Sequence, residues 1–224
     1  MRSRPRLTVI NFAAAAALLL GATACTDLDT ANAAGITRDD LVSEMAIQLA
    51  RVTGLTYTAK YQLAGGDTAS VTQAQKPTRT AYLHPAGRLL ETVTGTVRCD
   101  KALNCTETDP APATAAPLAG SKLITPEAAL AMLNAAALDQ ELEATQHDTT
   151  IAGRHATCLD LKGVDGTPTD KFSLCVTNEG ALGSFTGTIA GERFDQALTT
   201  YEEKADLAAL DLPASAKLTD KRSK

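Results

Sequence analysis

The chain has 224 residues, of which 44% are hydrophobic, 21% charged and only 4% aromatic, with no Trp. This composition excludes a disordered chain. With 21 Lys and Arg against 26 Asp and Glu, the net charge is −5; nucleic-acid binding needs a basic face, and no nucleic-acid partner is expected. The length suits one domain, and the odd count of five cysteines singles one of them out.

The first residues account for the odd cysteine. Arg2, Arg4 and Arg6 form a positive leader, Leu7 to Leu20 is apolar apart from Thr8 and Asn11, and small residues run to Cys25. That is the layout of a secretory signal over residues 1–24, with an apolar run too short to span a bilayer. Ala22-Thr23-Ala24-Cys25 resembles the lipobox of bacterial lipoproteins. That resemblance implies diacylglyceryl attachment to the Cys25 thiol and cleavage before it; the plainer alternative is an ordinary cleaved signal. The remaining 200 residues carry 18 basic and 26 acidic side chains, a net charge of −8. The expectation is an acidic body held by lipid at the extracytoplasmic face of the cell membrane. Residues 25–35 are small and polar and read as a flexible tether.

Ile36 to Gly54 reads as a helix, with Thr37 as cap and Gly54 as stop. Leu41, Met45, Leu49 and Val52 form its apolar face. From Leu55 to Leu63 the period changes to two: Leu55, Tyr57, Ala59, Tyr61 and Leu63 alternate with polar residues, which predicts a half-buried strand. Strand-like runs follow at Ala69 to Gln75, Thr78 to His84 and Arg88 to Arg98, an antiparallel meander. Thr106 to Gly120, rich in Pro and Ala, reads as an exposed connector. Thr125-Pro126-Glu127 opens a second helix ending near Asp139, with Leu130, Leu133 and Leu138 expected to face the core. Five more strands are predicted, at Leu142 to Ile151, Arg154 to Lys162, Lys171 to Thr177, Ala181 to Ile189 and Arg193 to Tyr201. A short helix over Ala205 to Leu210 and a fraying charged tail from Lys217 close the chain.

Export would place Cys99, Cys105, Cys158 and Cys175 in an oxidising compartment, where disulfides persist. Four cysteines allow three pairings. Turn chemistry between the members of each pair favours Cys99 with Cys105 and Cys158 with Cys175. Neither spacing is that of a redox or zinc motif.

The order of elements, the Tyr-bearing strand Leu55 to Leu63 and the closing segment Asp211-Leu212-Pro213-Ala214-Ser215-Ala216 resemble the LolA/LolB-like superfamily of bacterial lipoproteins. That group includes the LppX/LprG lipoproteins and the RseB/MucB sensor domain, and the composition suggests an actinobacterial branch. The resemblance covers residues 36–220. It implies an α+β fold, a strongly curved antiparallel sheet (an incomplete β-barrel) with helices packed on its concave face. It also implies an interior that takes an acyl chain or other hydrophobic ligand. Candidate ligand-binding residues are Leu41, Met45, Leu49, Leu55, Tyr57, Tyr61, Leu130 and Leu133. The alternative is a protein-interaction or sensor module with a filled interior, partnered by an envelope protein, in which Tyr57 and Tyr61 pack on Met45 and Leu49.

No catalytic motif is present. Ser184 lacks the Gly-x-Ser-x-Gly setting, and His84, His147 and His155 are dispersed. Asp160, Asp165 and Asp170 flank a turn and point to calcium only faintly. No enzyme activity, metal or cofactor is expected.

Overall fold

The computed structural model describes residues 37–110, 117–118 and 120–223. The expected signal segment 1–24, Cys25 and the tether 25–35 lie outside them. Among the described residues, twelve strands form one sheet. No helix there is long and apolar enough to cross a membrane.

Helix α1 spans Arg38–Ala50 and passes into a single 3-10 turn, Arg51–Gly54. Six strands follow: β1 Tyr57–Leu63, β2 Thr68–Gln75, β3 Thr78–His84, β4 Gly87–Thr92, β5 Gly95–Asp100 and β6 Asn104–Thr108. Helix α2 spans Pro126–Ala136. Then come β7 Glu143–Ile151, β8 Arg154–Lys162, β9 Lys171–Thr177, β10 Leu182–Ile189 and β11 Glu192–Glu202, a 3-10 turn Leu207–Leu210, and β12 Lys217–Asp220. The strand order is β12-β6-β5-β4-β3-β2-β1-β11-β10-β9-β8-β7. Each half is a meander, and β1 and β11 join the halves antiparallel. Among the described strands only β12 pairs parallel, on β6. The sheet is curved and unclosed with the helices against it, the expected α+β class.

The helices form where the sequence places them. Thr125 Oγ1 accepts from the Ala128 amide at 3.1 Å and Pro126 fills the first helical position, where its missing N–H costs nothing. α1 buries Val42, Met45, Ala46 and Leu49. Leu138 is 84% exposed because α2 has already ended, so the expectation that it faces the core fails.

Three other expectations are corrected. The single strand expected from Arg88 to Arg98 is two strands, because Thr92 Oγ1 accepts from the Thr94 and Gly95 amides and closes a tight turn. The connector starts later than expected, since β6 occupies Asn104–Thr108 and pairs with β5. Its end is not exposed either: Leu118 is buried, as is Leu123 just beyond it. The tail forms β12, seated on β6 by Lys217 N donating to Leu103 O at 2.9 Å and Lys221 N to Glu107 O at 2.8 Å. Leu210, with Leu212 and Ala216 beside it, packs on Ala81, Leu90 and Val97. The C-terminal segment thus covers the outer side of the first meander.

Both disulfides form as expected. Cys99–Cys105 joins directly opposed residues of β5 and β6, and Cys158–Cys175 does so in β8 and β9.

Candidate functional site

The candidate ligand-binding residues fall into two neighbouring clusters, not one. Met45, Leu49 and Leu133 are buried with Leu159, Leu174 and Phe185, and Leu41 and Leu130 pack on their margin. Tyr57 and Tyr61 belong to a second cluster with Val52, Val71, Tyr82, Leu89 and Leu198, with Leu55 at its margin. Tyr57 and Tyr61 are each 1% exposed. They do not share a cluster with Met45 and Leu49; Val52 and Leu123 are among their companions.

Alternation explains the second cluster. Tyr57, Ala59 and Tyr61 point to one face of β1, and their register partners across β2 are Gln73, Val71 and Ala69. Val71 in turn opposes Tyr82 of β3, and Tyr82 opposes Leu89 of β4. Tyr57 stacks on Tyr201, with ring centroids 5.6 Å apart. The Tyr61 hydroxyl donates to Leu182 O at 2.9 Å, so a buried phenol is satisfied by backbone. Burial raises all three tyrosine pKa values, those of Tyr57, Tyr61 and Tyr82, and they stay neutral donors.

A strap roofs this cluster. Leu118 and Leu123 insert into it from a turn closed by Leu118 N donating to Leu123 O at 3.1 Å and Ser121 N donating to Leu118 O at 3.0 Å. Behind the strap, Gln196 grips the backbone of Ile124 at both ends: its Oε1 accepts from Ile124 N at 2.8 Å and its Nε2 donates to Ile124 O at 3.1 Å.

The apolar cluster borders a polar patch. The Tyr82 hydroxyl donates to Glu127 Oε2 at 2.8 Å. Glu91 lies on the same face, opposite Thr80. Burial and the nearby Glu127 carboxylate push the Glu91 pKa from its ordinary 4.5 up to about 7, against the pull of Arg98. Tyr82, Glu91 and Glu127 were not legible as a site: Glu127 reads as an acid favoured at a helix N-terminus, and Glu91 as one polar member of an alternating strand.

A separate cleft of about 620 Å³ lies over β7 to β11, bordered by Asp160, Lys162, Lys171, Ser173 and Arg193. Here Ser173 Oγ donates to Asp160, whose other oxygen stands 3.5 Å from His147 Nδ1. A serine nucleophile needs the imidazole between hydroxyl and carboxylate. In this cleft the carboxylate stands between the other two, so the trio lacks a base at the hydroxyl. Asp165 is tied elsewhere, its amide donating to Asp139 at 2.8 Å. Among the described residues no group of His, Cys, Asp or Glu stands together as a metal site. His84 accepts from the Ala86 amide in its own turn, and His155 contacts Asn178 of the turn between β9 and β10.

No family model matches the chain, and no curated protein matches it. Among solved structures, an uncharacterized conserved protein from Thermus thermophilus matches with a TM-score of 0.50 and 11% identity, over 80% of this chain and 98% of that one. MucB matches with a TM-score of 0.48 and 12% identity, over 78% of this chain and 63% of its own. MucB in complex with MucA(peri) matches with 0.46 and 12%, over 78% and 60%. This chain therefore spans less than two thirds of MucB. The likeness to the Thermus protein is one of fold.

Proposed function

We propose that this chain is a LolA/LolB-like envelope lipoprotein, anchored through a lipid on Cys25, that binds an acyl chain or other hydrophobic ligand within its curved sheet. One observation carries the reading: Leu118 and Leu123 of the strap pack into the tyrosine cluster, whereas the buried side chains of α1 and α2 lie in the other cluster. Fully burying a Leu side chain contributes about 1.5–3 kcal/mol, so the two strap leucines contribute about 3–6 kcal/mol. An acyl chain gains about 0.8 kcal/mol per buried CH2, and about eight buried carbons offset the strap. A longer chain that takes the place of Leu118 and Leu123 binds with a net gain. Tyr82, Glu91 and Glu127 at the cluster margin would then meet the polar end of the ligand.

The test is lipid extraction and mass spectrometry on the full chain purified from its host's membranes. An acyl-bearing molecule near one per chain is expected, beyond a diacylglyceryl-modified Cys25 peptide. If no lipid co-purifies and a fluorescent fatty acid does not bind, the reading fails. Cys25→Ser is expected to release the protein from the membrane. The interaction-module reading is favoured by a different observation, the exposed edge of β7.

A further inference from the structure

We propose that β7 is a self-pairing edge, joining antiparallel to β7 of a second copy about a two-fold axis at His147. This inference is independent of whether the interior opens for a ligand.

The two ends of the sheet differ. β12 is four residues long, begins with Lys217 and is followed by Lys221 and Arg222, the short, charged form by which edge strands avoid association. β7 is nine residues long, largely exposed, and among the described residues pairs only with β8. Its sequence, EATQHDTTI, has no Lys, Arg or Pro. Apart from its two acids, Glu143 and Asp148, it carries none of the features that keep an edge apart.

The direction of its free backbone groups follows from the neighbouring strands. In an antiparallel pair, closely spaced opposed residues are those that do not exchange hydrogen bonds. Cys158 and Cys175 are opposed with Cα atoms 3.9 Å apart, so the Cys158 amide and carbonyl turn towards β7. The parity agrees with His155, whose carbonyl accepts from Asn178 N on the β9 side at 3.0 Å. His147, opposite Cys158, therefore spends its backbone groups on β8. By alternation, Ala144, Gln146, Asp148 and Thr150 present theirs to the free edge.

These four positions are self-complementary about His147. Gln146 faces Asp148 of the second copy and Ala144 faces Thr150, so all four outward residues pair with outward residues. On the other face Thr145 meets Thr149, and Glu143 meets Ile151. Opposed Thr pairs and amide–carboxylate pairs each favour the ladder. A two-fold axis at Asp148 would instead oppose two carboxylates, and one at Gln146 would leave Thr150 beyond the partner strand. His147 is the midpoint of β7, so an axis there gives the longest overlap, and it avoids opposing the two carboxylates.

The full chain in the membranes of cells expressing it supplies the test. His147→Cys is expected to give a disulfide-linked dimer on mild oxidation, while Gln146→Cys and the unsubstituted chain give little. Asp148→Pro removes an outward N–H and spares the β8 backbone ladder, losing there only the exposed side-chain bond from Thr157 Oγ1 at 3.0 Å. In the His147→Cys background it is expected to abolish the cross-link with the melting temperature and circular dichroism nearly unchanged. Sedimentation of the detergent-solubilised protein should show twice the chain mass, falling to one with Asp148→Pro. The proposal is overturned if the unsubstituted chain sediments as a monomer, if Asp148→Pro leaves a dimer, or if Cys at 147 captures a different protein in place of a second copy.

Discussion

Glu91 makes the polar patch measurable through pH. Its pKa is pushed from 4.5 to about 7, first by burial and then by Glu127, so folding favours its neutral form. A carboxyl whose folded pKa is raised contributes stability that is fully present below its unfolded pKa, near 4.5. That contribution is lost as pH rises through 7. The full shift corresponds to about 3 kcal/mol, and contact with water cuts the realised value to about 1–2 kcal/mol. Glu91→Gln keeps the shape and removes the charge. Urea unfolding at pH 5 and pH 8 should show the variant close to the unsubstituted chain at pH 5 and about 1–2 kcal/mol more stable at pH 8. A variant that is less stable at pH 8, or equal at both, refutes a buried, mostly neutral carboxyl beside Glu127.

Loop-closure entropy ranks the disulfides: replacing Cys158 and Cys175, 17 residues apart, should cost about 3 kcal/mol. Replacing Cys99 and Cys105, six apart, should cost about 2 kcal/mol, and denaturant unfolding reads the order. Leu123→Ala empties a fully buried position and is expected to cost about 2–4 kcal/mol; if the strap roofs a ligand site, it also speeds exchange of a fluorescent fatty acid. Gly87→Ala should lower the melting temperature sharply, because φ is +147° there and a Cβ would overlap the Cys99 carbonyl.

Elements carried by local periodicity were legible: Tyr57 to Leu63 alternates cleanly, and Thr125-Pro126 marks a helix start. The Thr92–Gly95 turn was not, because Val93 continues the apolar pattern through it and the turn depends on one hydroxyl. β12 was not legible either. Lys217–Asp220 is exposed throughout, and its ladder partner β6 lies more than a hundred residues earlier in the chain. The candidate ligand residues were individually placed in the core, but pattern alone could not show that α1 and β1 bury theirs in different clusters. The second cluster also takes in Leu118 and Leu123, and Leu118 reads as part of an exposed connector because the residues around it are small and polar.

The placement of the covalent ties bears on where the body can open. One disulfide joins β6 to β5 and the other joins β9 to β8, each one strand in from a sheet edge. The central strands β1 to β4, with β11, have no such tie. Their concave face is held by side-chain packing and by the strap, whose Leu118–Leu123 turn is closed by a few hydrogen bonds, each contributing about 1 kcal/mol. α1 and α2 cover the opposite half, where their buried side chains meet β8 to β11 in the larger cluster. Lifting α1 alone withdraws four buried side chains, Val42, Met45, Ala46 and Leu49, from the core, whereas lifting the strap withdraws two leucines. The lowest-cost opening of this fold therefore lies over Tyr57, Tyr61 and Tyr82. Hydrogen exchange should find the amides of Leu118, Ser121 and Leu123 exchanging well before those of β8 and β9, and equal protection of the two sets would contradict the argument.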